Sequence, residues 1–155
     1  MNTVKPFKLL NQDEKECLIP DPNHEFTLLF FYPKDNTPGC SLETKSFNNL
    51  QNQFRQLDCA VYGISGLSPK SKKKFLKKLD ACVELLADEN FEISKMFNTY
   101  RKKKFMGKEY YGIVRTTIIL DKSGRILKRF EVDDIENHAQ ECLEFLKSCK
   151  SQYLE

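Results

Sequence analysis

The sequence predicts an α/β sandwich around a mixed β-sheet, in one domain that spans residues 1–155. Three observations predict this class. Short apolar runs of strand-forming residues alternate with segments whose apolar residues recur at helical spacing. The chain begins with a hairpin pattern and ends with two strands and a helix. It has no internal repeat and no linker of interdomain length, so no second domain is predicted.

The first elements are a hairpin and a central strand. Residues 7–10 and 17–19 flank a polar turn, which predicts a short N-terminal β-hairpin. The apolar run at residues 27–32 is ended by Pro33 and predicts a strand that is covered on both faces.

Helices and strands then alternate along the chain. Apolar residues recur at steps of three to five from Cys40 to Leu57, which predicts one amphipathic helix over residues 40–57. A strand, a helix, a strand and a short helix are predicted next, at residues 59–65, 69–79, 83–87 and 91–97. After a basic loop, two strands joined by a turn and a closing helix follow, at residues 113–120, 125–131 and 135–146.

Composition and charge are those of an ordinary globular chain. Hydrophobic residues make up 40% of the sequence, charged residues make up 30%, and the net charge is +3. The first eight residues contain no apolar core of a secretory signal, and the apolar run at residues 26–32 is too short to cross a bilayer. We therefore expect a cytoplasmic protein with no membrane contact.

The cysteines lie at positions 17, 40, 59, 82, 142 and 149, and no pair has the Cys-x-x-Cys spacing. A structural disulfide framework is not expected without an export signal. Cys59 and Cys142 are interpreted as small buried hydrophobes. His138, Cys142 and Cys149 share one face of the last helix, but they spread over three turns and cannot easily converge on one ion. We therefore expect no metal and no cofactor.

Cys40 is placed to act as a nucleophile. It directly precedes the apolar helical pattern, so its sulfur would face free backbone N–H groups and the positive end of the helix dipole. Both favour the thiolate over the thiol. The hydroxyl of Thr37, one helical turn earlier, is at the spacing needed to hydrogen-bond a bound substrate. Pro33 ends the buried strand and can shield the site from water.

These residues fit the pattern Pro-x-x-x-Thr-x-x-Cys over residues 33–40, between a buried strand and a helix start. With this signature the chain resembles the peroxiredoxins, and within them the Q-type or bacterioferritin comigratory protein subfamily. The resemblance continues through residues 62–65, 86–88, 105–108 and 112–117 and the helix that holds His138. It covers nearly the whole chain in the expected order.

The resemblance implies a thioredoxin-like, three-layer α/β/α fold and a thiol peroxidase that reduces hydrogen peroxide and organic hydroperoxides. Cys40 would be the nucleophile that becomes a sulfenic acid, and Thr37 would bind the peroxide. Pro33 would shield the site. Arg115, on a strand near Cys40, would hold the thiolate and polarise the peroxide. Thioredoxin or another small thiol would be the reductant of a monomer or weak dimer.

The sequence departs from the Q-type pattern at the resolving cysteine. Lys45 stands five residues after Cys40, and the other known position falls near Leu76, six residues before Cys82. Two mechanisms stay open. Either Cys82 resolves the sulfenic acid after local unfolding, or an external thiol reduces Cys40 directly, which is the favoured mechanism. A redox sensor on the same fold, which passes its oxidation to a partner, is the alternative function.

Two basic runs raise the question of nucleic-acid binding. Residues 70–78 contain six lysines, and residues 101–104 are one arginine and three lysines. Neither run has aromatic residues at a stacking spacing, and acidic residues elsewhere nearly cancel the charge. The lysines are interpreted as a solvated surface that helps to dock an acidic reductase or to steer anionic peroxides. No nucleic-acid partner is expected.

Overall fold

A mixed β-sheet of seven strands forms the centre of the computed structural model, which describes residues 2–153, with side chains for residues 2–150. The strands are β1 (Phe7–Asn11), β2 (Glu16–Ile19), β3 (Phe26–Phe31), β4 (Cys59–Ser65), β5 (Glu84–Ala87), β6 (Tyr100–Phe105), β7 (Lys108–Ile113), β8 (Thr116–Asp121) and β9 (Ile126–Glu131). The helices are α1 (Pro38–Asn49), α2 (Gln51–Gln56), α3 (Pro69–Leu79), α4 (Glu92–Met96) and α5 (Ile135–Tyr153). The sheet order is β2-β1-β5-β4-β3-β8-β9, and β6 and β7 form a separate two-stranded ribbon.

Strand β3 positions the functional site. It pairs in parallel with β4 and antiparallel with β8. All of its residues are buried, because both faces of the sheet are covered. The antiparallel register places Phe31 opposite Thr116, so the residues just after β3 lie beside those just before β8. This pairing brings the loop before α1 close to Arg115.

Side chains of β3 alternate between two hydrophobic cores, one on each face of the sheet. Phe26, Leu28 and Phe30 join the core that contains residues of α1, α2, α3 and α5. Leu29 and Phe31 join the other core, together with residues of α4, β7 and the N-terminal segment. The predicted α/β sandwich with a mixed sheet is confirmed. Among the helices within residues 2–153, none is long and apolar enough to cross a membrane.

Most predicted elements are found within one or two residues of their expected bounds. They are the N-terminal hairpin and the elements β3, β4, α3, β5, α4 and β9. The closing helix is longer than predicted, because α5 continues past residue 146 to Tyr153.

The predicted helix over residues 40–57 is wrong in two respects. It begins two residues earlier, at Pro38, and it divides at Leu50 into α1 and α2. Leu42, the first apolar residue after Cys40 in the predicted pattern, is 44% exposed and does not belong to the buried face. The buried residues of α1 instead lie at positions 40, 43, 44 and 47, which follow helical spacing and include two polar side chains.

The predicted basic loop before residue 113 is also wrong, because β6 and β7 form a hairpin there. Met106 and Gly107 have φ angles of 52° and 79° at its tip, as a two-residue hairpin turn requires. Both faces of the ribbon are largely exposed, so no buried face marks these strands in the sequence. Arg115 lies in the connection between β7 and β8, and not on a strand as predicted.

Candidate functional site

The start of α1 holds Thr37 and Cys40 together. Thr37 is the N-cap residue, and its Oγ1 accepts a hydrogen bond from the backbone N–H of Cys40 at 3.3 Å. Pro38 occupies the first helical position, where a missing N–H costs nothing. The Cys40 side chain is fully buried in the first turn, where the helix dipole is positive. This position favours a negatively charged sulfur.

Arg115 supplies the positive charge beside that sulfur. Its Nη2 donates to Cys40 Sγ at 3.4 Å, and its Nη1 donates to Glu43 Oε1 at 2.8 Å. A Cβ atom at Gly39 would stand 3.3 Å from Arg115 Nη2, so glycine leaves room for the guanidinium. Burial tends to lower the pKa of Arg115, but the negative charges of Glu43 and Cys40 outweigh it, and the pKa is raised. The guanidinium therefore stays charged at the site.

Glu43 is a site residue that the sequence analysis missed. It lies one helical turn after Cys40 and is 1% exposed. Its Oε1 pairs with Arg115, while its Oε2 is buried without a hydrogen-bond partner among the described residues. Burial raises the pKa of Glu43 to about 7, although the positive charge of Arg115 acts in the opposite direction. Its spacing of three residues from Cys40 was the signal in the sequence.

We expect Glu43→Gln to increase the alkylation rate of Cys40 by iodoacetamide several-fold at about pH 8. Above a pH of about 7, the wild-type carboxylate is charged and competes with the thiolate for Arg115. The variant is neutral at every pH, so this competition disappears. Below a pH of about 6 the two proteins should converge, because Glu43 is then protonated. Alkylation rates measured across this range test the prediction.

The matched control is Glu144→Gln, because Glu144 is an exposed carboxylate on α5 whose partners among the described side chains are nearby residues of its own helix. Its alkylation profile should match that of the wild type. Identical profiles for Glu43→Gln and the wild type would contradict the electrostatic role of Glu43.

Pro33 and Thr37 line a groove beside the site. The groove has a volume of about 480 Å³ and runs between the loop before α1 and the β6–β7 hairpin. Lys103 enters it from β6, with its Nζ donating to the carbonyl of Ile113 at 3.0 Å. Burial and then the positive charge of Arg115 lower the pKa of Lys103, while the negative charge of Cys40 raises it. Lys103 therefore interacts electrostatically with the site. Its position in a basic run of the sequence did not indicate this interaction.

Cys82 lies apart from Cys40. It is exposed, and its backbone N–H donates to Asn48 Oδ1 at 2.8 Å. Its Sγ donates to Gln51 Oε1 at 3.3 Å. Asn48 is eight residues beyond Cys40 on α1, or about 12 Å along the helix at 1.5 Å per residue. A disulfide between the two cysteines therefore requires backbone movement.

Of the other residues singled out in the sequence, three pack in the core, and the interpretation of one lysine is wrong. Cys59 and Cys142 are buried in the core, as predicted. His138 is also buried, and its Nε2 lies 2.7 Å from Thr117 Oγ1. The interpretation of the α3 lysines as a solvated face is wrong at Lys72, whose side chain is fully buried.

Comparison with known proteins gives consistent matches. A family model described as AhpC/TSA family matches residues 2–129. The putative peroxiredoxin bcp of Helicobacter pylori is 39% identical over 140 residues, which cover 90% of this chain and 92% of the relative. The peroxiredoxin Bcp of Bacillus subtilis is 36% identical over 129 residues, which cover 83% of this chain and 82% of the relative.

Solved structures agree with these relatives. A variant of PrxQ from Xylella fastidiosa superposes with a TM-score of 0.88 at 30% identity, covering 97% of this chain and 98% of that one. The bacterioferritin comigratory protein of Xanthomonas campestris superposes with a TM-score of 0.85 at 27% identity, covering 92% and 90%. That protein was described for its alkyl peroxide reduction activity.

Proposed function

The chain belongs to the AhpC/TSA family and, within it, to the Bcp or Q-type peroxiredoxins, and we propose that Cys40 carries its activity. The protein is a thiol peroxidase that reduces hydroperoxides. The observation that supports the assignment to Cys40 is the contact of 3.4 Å between Arg115 Nη2 and Cys40 Sγ. This contact places a permanently charged guanidinium beside a sulfur that lies in the first turn of a helix.

The proposed reaction begins with the Cys40 thiolate. Its sulfur attacks one oxygen of the hydroperoxide, so that a sulfur–oxygen bond forms as the O–O bond breaks. The other oxygen leaves with the electron pair and takes up a proton, which gives water or an alcohol. The sulfur is oxidised by two electrons to a sulfenic acid. No metal or cofactor takes part in this step.

Three neighbours are proposed to assist. Thr37 holds the peroxide through its hydroxyl, which keeps the O–O bond in line with the sulfur. Arg115 stabilises both the thiolate and the negative charge that develops on the departing oxygen. Pro33, at the edge of the same groove, shields the sulfur from bulk water.

We further propose that residues 1–155 act as one domain, as a cytoplasmic monomer or weak dimer, with neither nucleic acid nor membrane as a partner. Thioredoxin or another small thiol would reduce the sulfenic acid. A steady-state assay tests this function by coupling peroxide reduction to NADPH through thioredoxin and thioredoxin reductase, with dithiothreitol in parallel. Continuous turnover supports the proposal. Stoichiometric oxidation of Cys40 without turnover by any dithiol would indicate the redox sensor instead.

We expect the enzyme to work by the one-Cys mechanism, so Cys82→Ser should keep the turnover rate of the wild type with dithiothreitol. The reason is the distance that the Asn48 and Gln51 contacts keep between Cys82 and Cys40. Oxidation with one equivalent of hydrogen peroxide should give a Cys40 sulfenic acid that dimedone traps, as seen by peptide mass spectrometry. A linked pair of peptides containing Cys40 and Cys82 would show that Cys82 is the resolving residue.

A further inference from the structure

One lysine of α3 differs from its neighbours. Lys72 has a fully buried side chain, whereas Lys70, Lys73 and Lys74 on the same helix are exposed. Its Nζ donates to Ser65 Oγ and to Tyr32 Oη at 3.4 Å, and lies 3.5 Å from Asp35 Oδ1. Burial lowers the pKa of Lys72 to about 8 even though Asp35 opposes this effect. A buried ammonium group is costly, so its partners indicate why it is there.

The main partner, Asp35, belongs to the loop that carries Thr37. Asp35 is 7% exposed, and its Oδ1 also accepts a hydrogen bond from Tyr32 Oη at 2.6 Å. Its Oδ2 accepts one from Ser71 Oγ at 2.7 Å. The carboxylate is therefore held by Tyr32, the residue directly after β3, on one side and by Ser71 of α3 on the other. Its position in the chain is midway between Pro33 and Thr37.

The next loop residue is fastened to α3 as well. Asn36 has a φ angle of 64°, in the left-handed region, and its Oδ1 accepts a hydrogen bond from Lys78 Nζ at 2.7 Å. Asn36 directly precedes Thr37, the N-cap of α1. Hydrogen bonds and an ion pair from α3 thus hold the loop that leads into the peroxide site. Among the α3 lysines, only Lys72 makes such a contact from a buried position.

We propose that Lys72 is a positioning residue for the peroxidase reaction: through Asp35 it fixes the loop that aims the Thr37 hydroxyl at the bound peroxide. The inference rests on the function proposed above. A buried ion pair adds little net stability compared with apolar residues of the same volume. Because the Lys72–Asp35 pair lies beneath the loop that carries Thr37, its role is instead to hold that loop in position. Lys72 has no direct bond to Cys40 or Arg115 among the described contacts, so it acts on the peroxide site and not on the thiolate.

The test compares two reactions of Cys40 in Lys72→Met, which keeps most of the side-chain length and removes the charge. Reaction with hydrogen peroxide needs both the thiolate and a correctly placed Thr37, whereas alkylation by iodoacetamide needs an accessible thiolate but no hydrogen bond from Thr37. We expect the second-order rate constant with hydrogen peroxide to fall by about 10-fold to about 100-fold. The alkylation rate should stay within about twofold of the wild type, because Arg115 and the helix dipole are untouched.

Two further variants make the test decisive. Lys74→Met, an exposed lysine of the same helix, should leave both rates unchanged. Asp35→Asn should reproduce the selective loss of the peroxide rate, and it gives the result if Lys72→Met does not fold. A wild-type peroxide rate in Lys72→Met and in Asp35→Asn, or equal losses in both reactions, would overturn the role of Lys72. A wild-type protein that itself fails to consume peroxide would overturn the proposed function.

Discussion

Replacing Cys40 by serine is expected to abolish peroxide turnover with every reductant. The serine hydroxyl is not ionised at neutral pH and cannot take the oxygen as sulfur does. Among the described residues, Cys40 is the only cysteine that contacts an arginine and lies in the first turn of a helix. Burial raises the pKa of Cys59 and of Cys142 well above the ordinary range, so these two thiols stay protonated.

The matched control for this loss is Cys17→Ser. Burial, followed by the hydrogen bond and the charge of Glu84, raises the pKa of Cys17 to about 12, so its thiol takes no part in the reaction. Peroxide consumption with dithiothreitol should therefore equal that of the wild type. Full activity in Cys40→Ser would mean that the oxidised sulfur is elsewhere, with the exposed Cys82 as the first residue to map.

Replacing Arg115 by alanine is expected to slow the reaction of Cys40 with hydrogen peroxide by about 10²-fold to about 10³-fold, the usual cost of removing one donor to a developing negative charge. The change removes the bond to Cys40 Sγ and the positive charge beside it, which disfavours the thiolate. Without its cation, the buried Glu43 is expected to be protonated and to add no negative charge. Stopped-flow measurement of the reduced protein with hydrogen peroxide gives the rate constant.

Two other variants test the specificity of this effect. Arg115→Lys keeps the charge but cannot bond Cys40 and Glu43 with one rigid fork, so an intermediate rate is expected. Arg55→Ala removes an exposed arginine whose hydrogen-bond partner within the described part of the chain is Asn52, and it should have no effect. A wild-type rate in Arg115→Ala would mean that another group stabilises the sulfur, and Lys103, which interacts electrostatically with Cys40, is a candidate.

An element could be predicted from the sequence where a local signal, such as a proline or a helix-capping residue, occurs beside apolar residues that are buried in the fold. Strand β3 is buried throughout and apolar apart from Thr27, because both of its faces are covered, and Pro33 follows its end. Helix α3 has the predicted bounds because Ser68 caps it, Pro69 begins it, and Phe75 and Leu76 supply its buried face. The β6–β7 hairpin was missed because most of its side chains are exposed, so hydrophobic periodicity carries no information there.

The site was predictable only in part, for a related reason. Thr37 and Cys40 are only three residues apart, and together they indicate the capped start of a helix. Glu43 and Lys72 are buried charges, and a pattern of hydropathy places such residues at the surface. Their partners, Arg115 and Asp35, are 72 and 37 residues away along the chain. Only the folded sheet brings them together.

The complete burial of Cys40 has a consequence for the order of events in a catalytic cycle. A hydroperoxide is small enough to reach the sulfur through a narrow opening, but a protein dithiol must bring its own sulfur to about 2 Å from it. With a protein reductant, the reducing half of the cycle would therefore require the first turn of α1 to unwind. In that case we expect the two co-substrates to be separated by size, and turnover at high concentrations of such a reductant should reach a ceiling set by the unwinding.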